Sequence, residues 1–317
     1  MPLTVAYSRR YLVDIGDHVF RMAKYHRTHH LLLEQGVLPP EAFVEPDPVS
    51  WEDLALVHDA DYLRKARTGD FRPSELAQLE LPWTFDAIEG FRLIAGGTVL
   101  AGRVAVASAA AAARAATRTT GPAPLAAAAN IGGGFHHAFP AHGEGFCVFN
   151  DVAVAIRVLQ RDGTITRAAV IDVDVHQGNG TAFTFEGDAS VFTFSIHQES
   201  NYPAVKPHGS LDVGLPDGAG DHEYLRAVES ALPQVFASRP DLIIYVAGAD
   251  PYLGDQLGGL NLTFEGLRGR DYTVLNAARD MQVPVAIVLA GGYARNTDDT
   301  AHIHAATIAE AARLSRG

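Results

Sequence analysis

The chain reads as an α/β protein with a mostly parallel central sheet and helices on both faces. Apolar, β-branched runs recur along it, and segments with helical spacing separate the later ones. Glycine, histidine, aspartate and tyrosine crowd the chain immediately after several of these runs. Strands that alternate with helices pair in parallel and need helices on both sides. In such sheets the ligand site lies outside the carboxyl ends of the strands.

Taken in order, the runs Leu3–Tyr7, Leu125–Ala129, Ala168–Val173, Ser190–Ser195, Leu242–Ala247 and Pro284–Ala290 predict six strands. The alanine-rich stretch Val104–Ala116 predicts a helix by propensity. Val152, Ile156 and Leu159 form one apolar stripe; Leu225, Val228, Leu232 and Val235 form a second, with Asp221 as its expected N-cap. Two more helices are expected from about Phe264 to Met281 and from about Asp299 to Leu314. No repeat and no Ser/Gly/Pro linker interrupts the 317 residues, so one domain spanning 1–317 is expected.

Composition narrows the function. Apolar residues make up 47%, enough for a sizeable core. The single cysteine, Cys147, leaves no internal disulfide or cysteine-based zinc site and suits a reducing compartment. The first residues show no basic-then-apolar signal, and Val104–Ala116, broken by Arg114, reads as too short and too weakly apolar to span a bilayer. A cytoplasmic protein without membrane partners is the expectation. A formal charge of −12 argues against nucleic acid and towards neutral or cationic substrates, although an acidic surface also serves solubility.

The most informative stretch is Asp172-Val-Asp174-Val-His176, directly after Ala168-Ala-Val-Ile171. Strand alternation puts Asp172, Asp174 and His176 on one face. Burying three such groups unpaired costs several kcal/mol, roughly, so a divalent metal site explains them better than a plain core strand. Asp174, His176 and Asp250 can supply three ligands and leave a position open. His136-His137, after three glycines, can move protons to and from a water, and Tyr293, after two more, can donate to an oxyanion. Together these parts suit amide hydrolysis. Alone, a His pair, an Asp-Pro turn or a Gly-Gly-Tyr turn is more often structural. The Gly132–Gly134 run is no phosphate loop, because neither GxGxxG nor a following Lys-Ser/Thr is present. His26, His29 and His30 fit a helix surface better than a metal cluster; His142, His197, His208 and His222 are read the same way. His18 and His58 are expected in loop packing or oligomer contacts, and Cys147 as a small buried apolar group.

Five segments, Gly132-Gly-Gly-Phe-His-His137, Gly145-Phe-Cys-Val-Phe-Asn-Asp151, Asp172-Val-Asp-Val-His-Gln-Gly-Asn-Gly180, Ala249-Asp-Pro-Tyr-Leu-Gly-Asp255 and Gly291-Gly-Tyr293, resemble the zinc-dependent histone deacetylase superfamily. That superfamily includes acetylpolyamine amidohydrolases and acetoin-utilization-type deacetylases. The likeness runs from Asp17–Tyr25 to the final helix. Val57–Tyr62 and Leu257–Asn261 look most like class IV members and their bacterial relatives.

The resemblance implies an arginase/deacetylase fold. It implies Asp174, His176 and Asp250 as ligands of Zn2+, with Fe2+ or Co2+ as alternatives for an Asp/His/Asp set. His137 matches the general base and acid, His136 its electrostatic partner, Asp172 the carboxylate behind His136 and Asn179 the group behind His137. Asn179 stands where some members have aspartate, which makes the two histidines electrostatically unequal. Tyr293 matches the oxyanion tyrosine. Gly145 and Phe146 match one wall of an acyl-lysine tunnel, and Tyr202 the other. A monovalent cation such as K+ would sit at Asp172, Asp174, His176, Ser195 and Ile196. The implied reaction removes an acyl group from an N-acyl lysine, of a protein or a small molecule. An acylpolyamine amidohydrolase is the alternative, and a silent acyl-lysine-binding module or a dimetal ureohydrolase the more distant rivals. An oligomer is compatible with all of these.

Overall fold

The computed structural model describes residues 3–115 and 123–316. In chain order these form β1 (Thr4–Ala6), α1 (Ala23–Glu34), β2 (Phe43–Val44), α2 (Trp51–Leu54), α3 (Ala60–Thr68), α4 (Pro73–Leu79), α5 (Phe85–Ala115), β3 (Ala127–Asn130) and α6 (Asp151–Arg161). There follow β4 (Ala168–Asp172), α7 (Asn179–Thr184), β5 (Val191–Gln198), β6 (Leu211–Leu215), α8 (Asp221–Ala237), β7 (Leu242–Val246), α9 (Phe264–Asp280), β8 (Val285–Val288) and α10 (Thr297–Leu314). The eight strands make one sheet in the order β2-β1-β3-β8-β7-β4-β5-β6, parallel throughout. The expected α/β class and parallel pairing are both present.

The central strands explain themselves. Ala168–Asp172 and Leu242–Val246 are buried at every position, as continuous apolar strands covered on both faces must be. Alternation divides them between two clusters. Val170, Ile244 and Val288 pack with Ala101 and Ala105 of α5 and Val152, Ile156 and Leu159 of α6. Ile171, Tyr245 and Ile287 pack with Val228 of α8, Leu267 and Val274 of α9 and Ile308 of α10.

Several expectations need correction. β2 and β6 escape the sequence reading, because one is two residues long and the other is a half-exposed edge. β5 continues past the expected end at Ser195 to Gln198, so Ile196 and His197 lie inside the strand, paired with Val213 and Gly214 of β6. Gly220, not Asp221, caps α8; the Asp221 carboxylate instead accepts from the Thr263 N–H at 2.8 Å and from its hydroxyl at 2.7 Å, joining the starts of α8 and α9. Leu225 of the expected stripe is only half-buried, and Tyr224 fills the core position beside it. The alanine-rich helix begins at Phe85; the expected end at Ala116 lies outside the described residues. At this length α5 is long and apolar enough to cross a membrane. It packs, however, against β1, β3, β8 and α6, with Leu93, Ile94, Ala95 and Ala105 fully buried, as an internal helix of the fold does.

The connectivity positions the site. After β3 the chain skips two places, lays β4, β5 and β6 outwards, and returns to insert β7 and β8 into the gap. The reversal makes β3, β8, β7 and β4 neighbours, and their carboxyl ends open a crevice. The residues singled out for chemistry lie at or just past the ends of those four strands, apart from Tyr202, the tunnel-wall pair Gly145 and Phe146, and Ser195 and Ile196 of β5.

Candidate active site

The loop after β3 carries His136 and His137, and Asn150 and Asp151 at the start of α6 hold it. The Asp151 carboxylate accepts from Gly134 N–H at 3.0 Å, from Phe135 N–H at 2.7 Å and from the Thr98 hydroxyl. Asn150 caps α6 through Ala153 N–H and donates to Ala138 O at 3.1 Å. The two imidazoles, both buried, meet with their Nε2 atoms 3.1 Å apart.

Behind them stand different partners. His136 Nδ1 donates to Asp172 Oδ2 at 2.7 Å, whereas His137 Nδ1 lies 2.6 Å from Asn179 Oδ1. Burial opposes charge on both rings. The Asp172 and Asp174 carboxylates overcome it at His136 and raise its pKa to about 9. At His137 burial is reinforced by the His136 and His176 rings, so this imidazole is held neutral, well below the ordinary histidine value. The pair is electrostatically unequal, with a carboxylate behind His136 and a neutral amide behind His137.

Asp174, His176 and Asp250 converge from β4 and β7. One ligand atom from each falls within 4.8 Å of the others, and no further cluster of three such residues occurs among the described residues. His176 Nδ1 is 3.0 Å from Asp174 Oδ1 and 3.4 Å from Asp250 Oδ2. Gly291 N–H donates to Asp174 Oδ2 and Val175 N–H to Asp250 Oδ1, both at 2.9 Å. Asp250 Oδ2 is buried without any hydrogen-bond partner. Burial and the neighbouring Asp174 charge push the Asp250 carboxyl up. Two buried carboxylates, an imidazole and an orphaned oxygen are what a divalent cation satisfies, and hard oxygen and imidazole donors suit Zn2+, Fe2+ or Co2+. The backbone leaves them room: a Cβ at Gly291 would lie 1.9 Å from Asp250 Oδ2. His136 Nε2 is 3.8 Å from Asp174 Oδ1, which joins the trio to the histidine pair.

A cavity of about 20 Å³ is bounded by His136, His137, Asp174, Gly291, Phe146 and Tyr293, room for roughly one water. Asp255, which sequence reasoning left without a role, fixes the tyrosine backbone by accepting from Tyr293 N–H at 2.6 Å. Burial and the Asp174 and Asp250 charges keep the Tyr293 phenol protonated, well above its ordinary value. Lys24 was also missed: fully buried, it donates to Ala290 O at 2.8 Å and its Nζ lies 5.5 Å from the Tyr293 ring centre. Burial lowers it to about 8.

The expected tunnel residues come together as well. Gly145 adopts φ +53°, and a Cβ there would meet His137 Cδ2 at 2.8 Å and Tyr202 Cε1 at 3.3 Å. The Tyr202 ring stands edge-on to His137 at 5.0 Å, and Phe146 faces Tyr293 at 5.9 Å. Glu144, which no motif singled out, accepts from Asn179 Nδ2 at 2.7 Å and from the Tyr202 hydroxyl. Beside Tyr202 runs a groove of about 530 Å³ that includes Glu80 and Glu144 and no lysine or arginine. For the monovalent site, the β4–β5 register sets Asp172 beside Ser195, whose hydroxyl is 3.0 Å from His197 Nδ1.

Four of the other histidines take structural places. His29 stacks on Tyr7, and His26 Nδ1 pairs with the Tyr7 hydroxyl at 2.7 Å. His58 donates from Nδ1 to Phe139 O at 3.1 Å and accepts Asn150 N–H on Nε2 at 3.0 Å. The His18 ring packs edge-on against Phe146 at 4.7 Å. Cys147 is buried, and burial raises its thiol well above the ordinary value, which keeps it protonated and inert.

Comparison with known proteins gives the family and the fold. An uncharacterized protein of the cyanobacterium Picosynechococcus is 38% identical over 306 residues, 96% of each chain. Histone deacetylase 2 of Arabidopsis thaliana is 32% identical over 311 residues, 93% of this chain and 76% of that one. The crystal structure of the HDA15 HD domain shares the fold, with a TM-score of 0.75 at 22% identity, covering 98% of this chain and 88% of that one. Residues 18–310 match the histone deacetylase domain, and the chain belongs to that family.

Proposed function

We propose that the protein is a metal-dependent deacylase that hydrolyses an N-acyl amide on a lysine-like amine. One observation carries the reading: Asp174, the His136–His137 pair and Tyr293 border one small cavity, and His176 and Asp250 converge on Asp174 at its edge. Zn2+ is the metal proposed for the three donors, with Fe2+ or Co2+ as alternatives. When bound it supplies a Lewis acid for the acyl carbonyl and lowers the pKa of a water.

This chain's own residues do the rest. His137, held neutral, takes the proton from the attacking water through Nε2. His136, kept cationic by Asp172, balances the charge that develops beside it and shares in protonating the leaving amine. Tyr293 donates to the oxyanion as the carbonyl becomes tetrahedral. Gly145, Phe146 and Tyr202 line the approach of the acyl-amine stem. A K+ ion near Asp172 and Ser195 belongs to the same proposal, as does a class IV-like, bacterial place within the family.

An acylpolyamine is the second substrate reading. It is favoured by the acidic groove beside Tyr202, which would receive a further ammonium group. A panel of acyl-lysine peptides and acylpolyamines with graded acyl chains, run with the purified protein before and after chelation, tests both. Amide hydrolysis that chelation abolishes and added Zn2+ restores is expected. Absence of hydrolysis across the panel with metal bound would favour a silent binding module instead, and two tightly bound ions per chain would favour a ureohydrolase.

A further inference from the structure

Glu144 is the point where two parts of the site meet. Its Oε1 accepts from Asn179 Nδ2 at 2.7 Å and from the Tyr202 hydroxyl. Its Oε2 accepts from Gln78 Nε2 at 3.0 Å and lies 3.2 Å from His142 Nε2. Only 15% of the side chain is exposed. Burial works against its charge, yet the surrounding donors hold the carboxyl down to about 2.

A carboxylate only accepts hydrogen bonds, whereas an amide both donates and accepts. Asn179 must therefore present its NH2 to Glu144, which turns its Oδ1 towards His137. That oxygen, 2.6 Å from His137 Nδ1, can only accept, so the proton of neutral His137 must sit on Nδ1. The lone pair is then on Nε2, the atom that faces His136 and the cavity. Without an acceptor at position 144 the amide could turn over at little steric cost. The turned amide would donate to Nδ1, put the proton on Nε2 and leave no basic nitrogen in the cavity.

We propose that Glu144 is a positioning residue that selects the reactive tautomer of His137 through the Asn179 amide, and that the same carboxylate oxygen ties tunnel-wall Tyr202 to this relay. The inference rests on the assignment of His137 as the general base. It distinguishes an Asn-backed histidine from an Asp-backed one: the charge stands one amide away and acts by orienting.

The test is a double-mutant cycle on the metal-loaded, full-length chain. Glu144→Met removes the acceptor and should lower kcat by about 10- to 100-fold with KM within about 3-fold, since a wrongly protonated base forfeits general-base catalysis. Asn179→Asp alone should also be slow, because two carboxylates would then share one hydrogen-bond distance. The double variant should recover at least about tenfold over either single change, because the new carboxylate can accept from His137 Nδ1 directly. Nitrogen-15 NMR of the imidazoles should find Nδ1–H at His137 in the parent and in the double variant, and mixed or Nε2–H character in Glu144→Met. Metal content equal to the parent's in all proteins separates these effects from loss of the site. If the Met variant does not fold, Glu144→Ala serves, since a water in the vacated space can donate as well as accept.

Parent kcat and parent tautomer in the Glu144 variant would overturn the proposal, as would a double variant no faster than the singles. A parent chain without amidase activity would sink the functional reading alone, because the NMR comparison still decides the relay.

Discussion

Gly291→Ala reaches the metal site without replacing a ligand. Gly291 lies just past β8, and its φ is not in the left-handed region, so the backbone itself accepts alanine. The added methyl is a different matter. Its Cβ would stand 1.9 Å from Asp250 Oδ2 and 2.4 Å from Asp174 Oδ2, where real Cβ contacts do not fall below 3.0 Å. The Asp250 carboxylate must retreat by about 1 Å, while metal–ligand distances tolerate only roughly 0.2 Å. Two of the three donors are displaced at once, so a loss of affinity of at least about 100-fold is expected.

At fixed metal concentration that loss removes about 2.7 kcal/mol of binding-linked stability. For a chain of 317 residues this corresponds to a fall in Tm of about 4 °C. The assay is thermal melting across a Zn2+ titration, with and without chelator, beside metal content and amidase rate. The parent should lose stability on chelation, and the variant should need about 100-fold more Zn2+ than the parent to reach the same rise in melting temperature. Parent-like affinity together with a parent-like chelation shift would show that these carboxylates do not hold the ion.

Three further outcomes are expected. Tyr293→Phe should lower kcat by about 10²–10³-fold with little change in KM, since one oxyanion donor is worth that much; near-parent turnover measured at saturating substrate would remove the tyrosine from catalysis. His58, buried and lowered to about 4 by burial, is protonated in the unfolded chain before the folded one as pH falls. Its contribution is therefore present above about pH 6.5 and is lost as pH drops towards 4, with about 2 kcal/mol gone between pH 7 and 5; His58→Gln, although less stable at pH 7, should show a shallower decline in urea melts, and an equal slope would contradict the shift. Arg270→Met should cost about 3–5 kcal/mol, because the fully buried guanidinium donates to Gly248 O at 2.6 Å and pairs with Asp271 at 2.9 Å; a denaturant midpoint close to the parent's would show that Asp271 finds compensation from Tyr245 and Thr307.

The sheet's centre was legible because its strands are covered on both sides. Leu242–Val246 and Ala168–Ile171 can only be read one way once helical segments flank them. The edges were not: Phe43–Val44 is too short to carry a period, and Leu211–Leu215 mixes a glycine with half-exposed residues. β5 runs on to Gln198 because β6 supplies hydrogen bonds there, and no property of His197 or Gln198 alone announces a strand. The start of α5 was hidden for the opposite reason. Gly90, Gly96 and Gly97 lower its propensity, and burial against β1, β3 and β8 restores it.

In the site, legibility followed residue type. A carboxylate or imidazole next to a buried apolar strand violates the expectation for a core, so Asp172, Asp174, His176 and Asp250 stand out from residue order alone. Asp151, Asp255 and Glu144 do not, because an acidic residue in a glycine-rich loop is ordinary. Their roles arise from partners that only folding supplies: Glu144 meets Asn179 and Tyr202 across 35 and 58 residues. What the chain order hides is the direction of each hydrogen bond. Asp172 behind His136 raises its basicity by charge, whereas Asn179 behind His137 can either help or block, depending on which amide atom faces the ring. A residue that can only accept must stand beyond that amide to settle the choice, and Glu144 meets that requirement.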